Sequence, residues 1–167
     1  MTFEGDVKFD GATFCGDALF MQTHFDGDAS FEEVTFEGDA IFDMTIFFKR
    51  ASLLEVDFQG VAGFITAGFG DAWFDTAVFH GAVGFGHTSF GTSGIDRVSG
   101  ARVQHLDDRD LNQRRVWPDG WTVQPDLVDP TRGRLVRAKQ AQDSEPALPA
   151  SSTGSDHLQD HSTDQTQ

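Results

Sequence analysis

Few residues in this chain of 167 could do chemistry, and they are scattered. Cys15 is the single cysteine, with no histidine or base beside it, so it reads as an incidental surface thiol rather than a nucleophile. One cysteine also excludes an internal disulfide framework and a cysteine-rich zinc site. His157 and His161 stand at the i, i+4 spacing that could hold a metal on a helix. They fall in a tract of Ser, Thr, Asp and Gln that reads as disordered. The Gly-Asp steps that contain Asp6, Asp17, Asp28, Asp39 and Asp71 are more regular. A calcium-binding roll would need a nine-residue period with Asp on every turn. Here Arg50, Val61 and Ala82 interrupt the series, so each Asp is expected to accept a backbone N–H at a turn. No catalytic residue, cofactor or metal site is predicted, and the chain reads as non-enzymatic.

The elements that position these residues follow from phenylalanine. The chain has 17 Phe, 3 Trp and no Tyr, and every Phe lies between Phe3 and Phe90. Their positions are 3, 9, 14, 20, 25, 31, 36, 42, 47, 58, 64, 69, 74, 79, 85 and 90, with Leu53 filling the gap. Steps of 6 and 5 alternate, with one slip between Phe69 and Phe74, and only Phe48 stands off the grid. Past Met1, the residue two before each grid position is always Ala, Val or Thr. A helix of this period would split the Phe onto stripes roughly 140° apart at ~100° per residue, and recurrent Gly would cost about 1 kcal/mol each. A flat sheet fails because a step of five inverts the face of a strand. A solenoid with short sides and a corner after each side fits both steps.

The segments Phe9-Asp-Gly-Ala-Thr-Phe14, Phe14-Cys-Gly-Asp-Ala-Leu-Phe20 and Phe36-Glu-Gly-Asp-Ala-Ile-Phe42 resemble pentapeptide-repeat proteins. These carry a central Leu or Phe, a small residue two before it and often Gly two after. The added sixth residue on alternate sides is similar to a subset of that family. The resemblance covers residues 1 to about 95 and implies an all-β fold, a right-handed quadrilateral β-helix. Sides of 6, 5, 6 and 5 make a 22-residue coil and four interior columns. The first holds Phe3, Phe25, Phe47 and Phe69; the second Phe9, Phe31, Leu53 and Phe74. The third holds Phe14, Phe36, Phe58 and Phe79; the fourth Phe20, Phe42, Phe64 and Phe85. Slightly more than four coils, ~4.8 Å apart, give a rod of roughly 20 Å. His24, His80 and His87 then fall on different sides and coils, so they assemble no metal cluster.

Residues 96–139 differ in character, with nine bases against seven acids, and read as a small cap on the C-terminal coil. Short strands are expected at Val116–Trp117, Trp121–Val123 and Arg134–Arg137, with a helix near Leu106–Gln113. Trp117 and Trp121 are expected to cover the coil end, and Ser93 and Ile95 to add one weak side. Residues 140–167 contain no Lys or Arg and read as a disordered acidic tail. The N-terminal coil has no such cap in this sequence, so further chain upstream of Met1 or a second copy is expected there.

Two surfaces emerge. Leu19, Met21, Ile41 and Ile65 point outward on the fourth side, with Ile46 and Phe48 round the corner, and such a patch marks either an interface or the seat of the C-terminal segment. Glu4, Asp10, Asp26, Glu32, Glu37, Asp43 and Asp75 each follow a grid Phe directly. Residues 1–95 carry 15 acids and 3 bases within a chain of net charge −15. Over the rod that is near one charge per ~1.7 Å, the linear density of duplex DNA. Members of the resembled family that protect against quinolones are acidic rods that bind DNA gyrase, so the resemblance implies a DNA mimic as the alternative to a structural or protein-interaction scaffold. The expected partner is a protein of unstated identity, a second copy included. The charge opposes direct binding to nucleic acid or anionic membrane. No basic-then-apolar leader opens the sequence and no apolar run has the length of a membrane span, so a cytoplasmic location is expected.

Overall fold

The computed structural model describes residues 1–91, Val98 and residues 100–139. Ser93, Ile95, His157, His161 and the tail from 140 lie outside the described residues. The repeat region is a four-sided parallel β-solenoid of short strands, two residues long except where two of them run on through a corner. On the first side β1 (Thr2–Phe3) pairs with β5 (His24–Phe25), then β9 (Ile46–Ser52), β12 (Gly68–Trp73) and β15 (Ser89–Phe90). On the second, β2 (Val7–Lys8) pairs with β6 (Ala29–Ser30), which pairs with the Ala51–Ser52 end of β9. The third side runs from β3 (Thr13–Phe14) through β7 (Thr35–Phe36) and β10 (Asp57–Phe58) to β13 (Val78–Phe79). On the fourth, β4 (Ala18–Leu19), β8 (Ala40–Ile41), β11 (Ala62–Gly63) and β14 (Val83–Gly84) stack in order.

Each Phe of the grid except Phe74, whose neighbour one coil away is Leu53, stacks on a Phe one coil away. Phe25 and Phe47 lie 4.8 Å apart between centroids, Phe42 and Phe64 5.3 Å, and Phe58 and Phe79 5.1 Å, all within 4° of parallel. Rings of adjacent columns meet edge to face, as Phe36 does with Phe42 at 6.0 Å and 85°, and so do rings of opposite columns, as Phe31 does with Phe42 at 5.4 Å and 85°. Both geometries suit the aromatic quadrupole, so one residue type fills the interior in two directions. Leu53, Phe31, Phe42 and Phe64 are fully buried, while Phe3, Phe9, Phe14 and Phe90 are half-buried at the two ends. The slip between Phe69 and Phe74 is taken up as a register shift between Phe69 and Asp71, where β12 lies on β9.

The five- and six-residue sides end in different corners. Five-residue corners are β-turns whose third residue is left-handed: Gly11, Gln22, Glu33, Met44, Glu55, Thr66, Thr76 and His87. For a residue with a Cβ that conformation costs roughly 1–2 kcal/mol. It is offset because the same residue's N–H reaches the next coil, as Met44 N–H donates to Ile65 O at 2.8 Å and Thr66 N–H to Gly86 O at 2.8 Å. Six-residue corners carry the Gly-Asp step in the first two coils, and they bring coils close together. A Cβ on Gly27 would lie 2.5 Å from the Gly5 carbonyl carbon, and one on Gly81 2.1 Å from Gly60 O.

Parallel stacking continues past the Phe grid. In the third column β16 (Arg102–Val103) pairs with β13 and places Val103 on Phe79, and in the fourth Val116 bridges Gly84. A short helix, α1 (Arg109–Gln113), joins these two and is capped by the Asp108 carboxylate on Leu111 N–H. The hairpin of β17 (Trp121–Pro125) and β18 (Gly133–Arg137) then closes the end, with β18 antiparallel to β16. Trp117 packs edge-on against Phe79 at 6.0 Å, and Trp121 and Leu135 are buried. Arg115 is buried beneath them. Its guanidinium donates to Gly81 O, His80 O, Gln104 O and Asn112 Oδ1 at 2.7–3.1 Å. One side chain thus ties the last coil, through the His80 and Gly81 carbonyls, to β16 and α1 through Gln104 and Asn112.

Candidate interaction surface

The fourth side is built by residues flanking its interior Phe column, which the two-residue strands force outward. Leu19, Met21 and Ile65 are exposed, Leu19 by 64%, and Ile41 is half-buried. Ile41 leans toward Gly63, Ile65 toward Gly84 and, round the corner, Ile46 toward Gly68; their carbons stand 3.2–3.3 Å from where a Cβ on each glycine would be. Side chains thus cover the first coils and give way to glycine backbone lower down. Phe48, the Phe off the grid, is 60% exposed on the adjacent side, its ring edge-on to His24 at 6.1 Å. The described C-terminal residues lie over the coil end and leave these side chains exposed.

Two residues that sequence reasoning missed join the patch. Met44 is 43% exposed at the left-handed corner between Ile41 and Ile46. Its place two after Phe42 is the signal that could have found it. Val116, 51% exposed, extends the fourth side by its bridge to Gly84, and no repeat spacing marks it.

The acidic residues are dispersed over all four sides, and many are engaged. Glu4 and Asp26 flank the first column, Asp10, Glu32 and Asp75 the second, Glu37 the third and Asp43 the fourth. Asp10 Oδ1 accepts Glu32 N–H at 3.1 Å and the Ser30 hydroxyl. Glu32 Oε1 accepts the Ser52 hydroxyl at 2.7 Å, and Asp43 Oδ1 accepts Ile65 N–H at 2.8 Å. The corner aspartates behave alike, but their partner is in the next coil rather than in their own turn. Asp6 accepts Asp28 N–H at 2.9 Å, Asp17 accepts Asp39 N–H at 3.0 Å, and Asp39 accepts Val61 N–H at 2.9 Å. Arg50, which interrupts the series, pairs with Asp28 at 2.6 Å and lies over the Trp73 ring. Cys15 is exposed, and its thiol is pushed above the ordinary range chiefly by a hydrogen bond to Glu37 and by that residue's charge.

Among the described residues no group of three His, Cys, Asp or Glu could hold a metal ion. No described helix is long and apolar enough to cross a membrane. Comparison with known families finds a model of pentapeptide repeats, in nine copies, matching residues 1–35 and 22–68. The repeat region is of the pentapeptide-repeat family. Its members are repeat-protein scaffolds, and the stacked coils described above are that architecture. No curated protein and no solved structure matches the chain. Within this pentapeptide-repeat region the arrangement offers flat sides, one of them apolar, and no convergent set of acid, base and nucleophile.

Proposed function

We propose that the chain is a non-enzymatic interaction scaffold whose protein partner docks on the side that carries Leu19, Met21, Ile41 and Ile65 and on the corner with Ile46 and Phe48. One contrast carries this reading. The chain has net charge −15, yet residues 18–22, 40–44, 62–66 and 83–87 hold no Lys or Arg and a single acid, Asp43, already bonded to Ile65 N–H. A side that stays uncharged and apolar on so acidic a rod fits contact with another surface. The single exposed thiol fits a reducing compartment, the cytoplasm.

The DNA-mimic alternative has less support, because the seven acids divide among four sides and Asp10, Glu32 and Asp43 serve the fold. The experiment that tests the reading is affinity capture from a native lysate with the wild type and with Leu19→Glu/Ile65→Glu, both outward substitutions that leave the core intact. A protein retained by the wild type and lost by the variant is expected. Equal retention by both would overturn the reading, as would salt-sensitive inhibition of a supercoiling enzyme by wild type and variant alike.

A further inference from the structure

We propose that the cleft between β16 and the β17–β18 hairpin is a phosphate-binding site in which Arg102 and Arg134 hold the anion. The two arginines are directly opposed across the antiparallel pair of β16 and β18. Leu135 N–H donates to Ala101 O at 2.8 Å on the neighbouring rung, so Arg102 and Arg134 form the non-hydrogen-bonded type of pair. In that type the Cα atoms approach to ~4.5 Å and both side chains leave the same face of the sheet. Like charges so placed repel one another. Both residues are exposed, and among the described residues neither guanidinium has a carboxylate partner. A chain with more than twice as many acids as bases has thus put two bases together at its closest cross-strand spacing.

The space in front of them is concave. A cleft of about 370 Å³ is lined by Thr76, Arg102, Gln104, Asp126, Arg132 and Arg134, with the backbone of Gly100 and Gly133 as the rest of its wall. Gly100 has φ +96° and nothing within 4 Å of where a Cβ would stand, which leaves the wall open to a ligand atom. The third arginine is spoken for: Arg132 pairs with Asp129 at 3.1 Å. Asp126 is the remaining carboxylate on the wall, so the two facing guanidinium groups outweigh it.

The geometry favours a tetrahedral dianion over a carboxylate. Each guanidinium presents a planar fork that takes two oxygens, and two forks from adjacent strands bracket an anion with three free oxygens and a charge near −2. A carboxylate has two oxygens and one charge, and satisfies one fork. Free phosphate and a phosphomonoester share this chemistry.

The test is a titration of the full chain with inorganic phosphate, methyl phosphate and acetate in turn, at ionic strength held constant with chloride. It is read by NMR on the arginine Nε–H resonances. Saturable shifts of the Arg102 and Arg134 signals are expected with the phosphates and not with acetate. Tighter binding of methyl phosphate identifies a phosphomonoester, and tighter binding of inorganic phosphate identifies the free anion; both support the site. Arg102→Gln and Arg134→Gln should each weaken binding at least tenfold, Asp126→Asn should tighten it, and Arg109→Gln on α1 should leave it unchanged. Because Arg134→Gln relieves a like-charge pair, its melting temperature without phosphate should equal or exceed the wild type's, and the rise that phosphate gives the wild type should vanish. Shifts matched by chloride alone, binding undiminished in Arg102→Gln/Arg134→Gln, or preference for acetate would each overturn the proposal.

Discussion

Replacing Arg115 by methionine should open the C-terminal end of the solenoid. The guanidinium makes four hydrogen bonds, to three main-chain carbonyls and to Asn112 Oδ1, in a residue that is 92% buried. Burial lowers its pKa from the usual arginine value, yet a guanidinium stays charged at any physiological pH. Methionine fills similar volume and donates nothing. Each carbonyl left buried and unbonded costs about 1–3 kcal/mol. With partial relaxation and water entry, the loss should total roughly 3–5 kcal/mol, the range for removing one partner from a buried charged network. At about 2–4 °C per kcal/mol for a chain of this size, the melting temperature should fall by roughly 6–20 °C. A solenoid couples each coil mainly to its neighbours. Hydrogen exchange should therefore accelerate first at Val83, Phe85, Val103 and Val116, while Phe25 and Phe36 amides keep their protection at low denaturant. Arg115→Lys should recover only part of the loss, since one ammonium cannot reach three carbonyls in a fixed fork. A loss under about 1 kcal/mol by urea denaturation, with exchange at Val103 and Val116 unchanged, would refute the assignment of Arg115 as the end plug.

The interior accounts for the absence of tyrosine, and Phe42→Tyr tests it: a hydroxyl forced among stacked rings should cost about 1–3 kcal/mol by thermal or urea unfolding, whereas Phe3→Tyr at the half-exposed end should cost far less. Cys15 gives a test in pH. Its thiol is raised by Glu37, so less thiolate is present at a given pH than for a free cysteine; Glu37→Gln should speed its alkylation by iodoacetamide at pH 7.5 and move the rate profile to lower pH. At Asp129 the carboxyl is held below the usual range, first by the Thr131 hydroxyl and then by the Thr131 N–H and Arg132. The support it gives the hairpin loop is full above the ordinary Asp pKa and is lost as pH falls through the depressed one, so chemical shifts of Asp129–Arg132 should hold at pH 5 and move only in stronger acid; movement already near pH 5 would contradict the shift.

Much of the fold was legible because one residue type marks every side. The 5 and 6 spacing placed Phe25 on Phe47 and Phe9 on Phe31, and it singled out Phe48 as outward. It also aligned Asp71 with Arg50 across the slip. The signal ends with the Phe. From Phe79 to Val103 the step is longer than one coil, so the continuation through β16 and Val116 has no periodicity to betray it. Arg115 reads as one more surface base, and only the three-dimensional convergence of His80, Gly81 and Gln104 carbonyls reveals its role. The outward apolar residues Leu19, Ile41 and Ile65 were readable because a fixed inward register fixes the outward one. Met44 sits at a corner position that tolerates any residue able to enter a left-handed turn, so its place in the patch carried no compositional mark. The opposition of Arg102 and Arg134 depends on the register of β18 against β16, a long-range pairing that spacing within either segment does not encode.

The measurement that bears most directly on the scaffold reading is site-specific photocrosslinking in cells expressing the full chain. A photoreactive phenylalanine would replace Leu19 or Ile65 on the apolar side, or Glu4 or Glu37 on two acidic sides. A docking surface predicts discrete heavier adducts from positions 19 and 65 and none from 4 and 37. Adducts from 4 and 37 with none from 19 and 65 would contradict it and hand the function to the acidic surface.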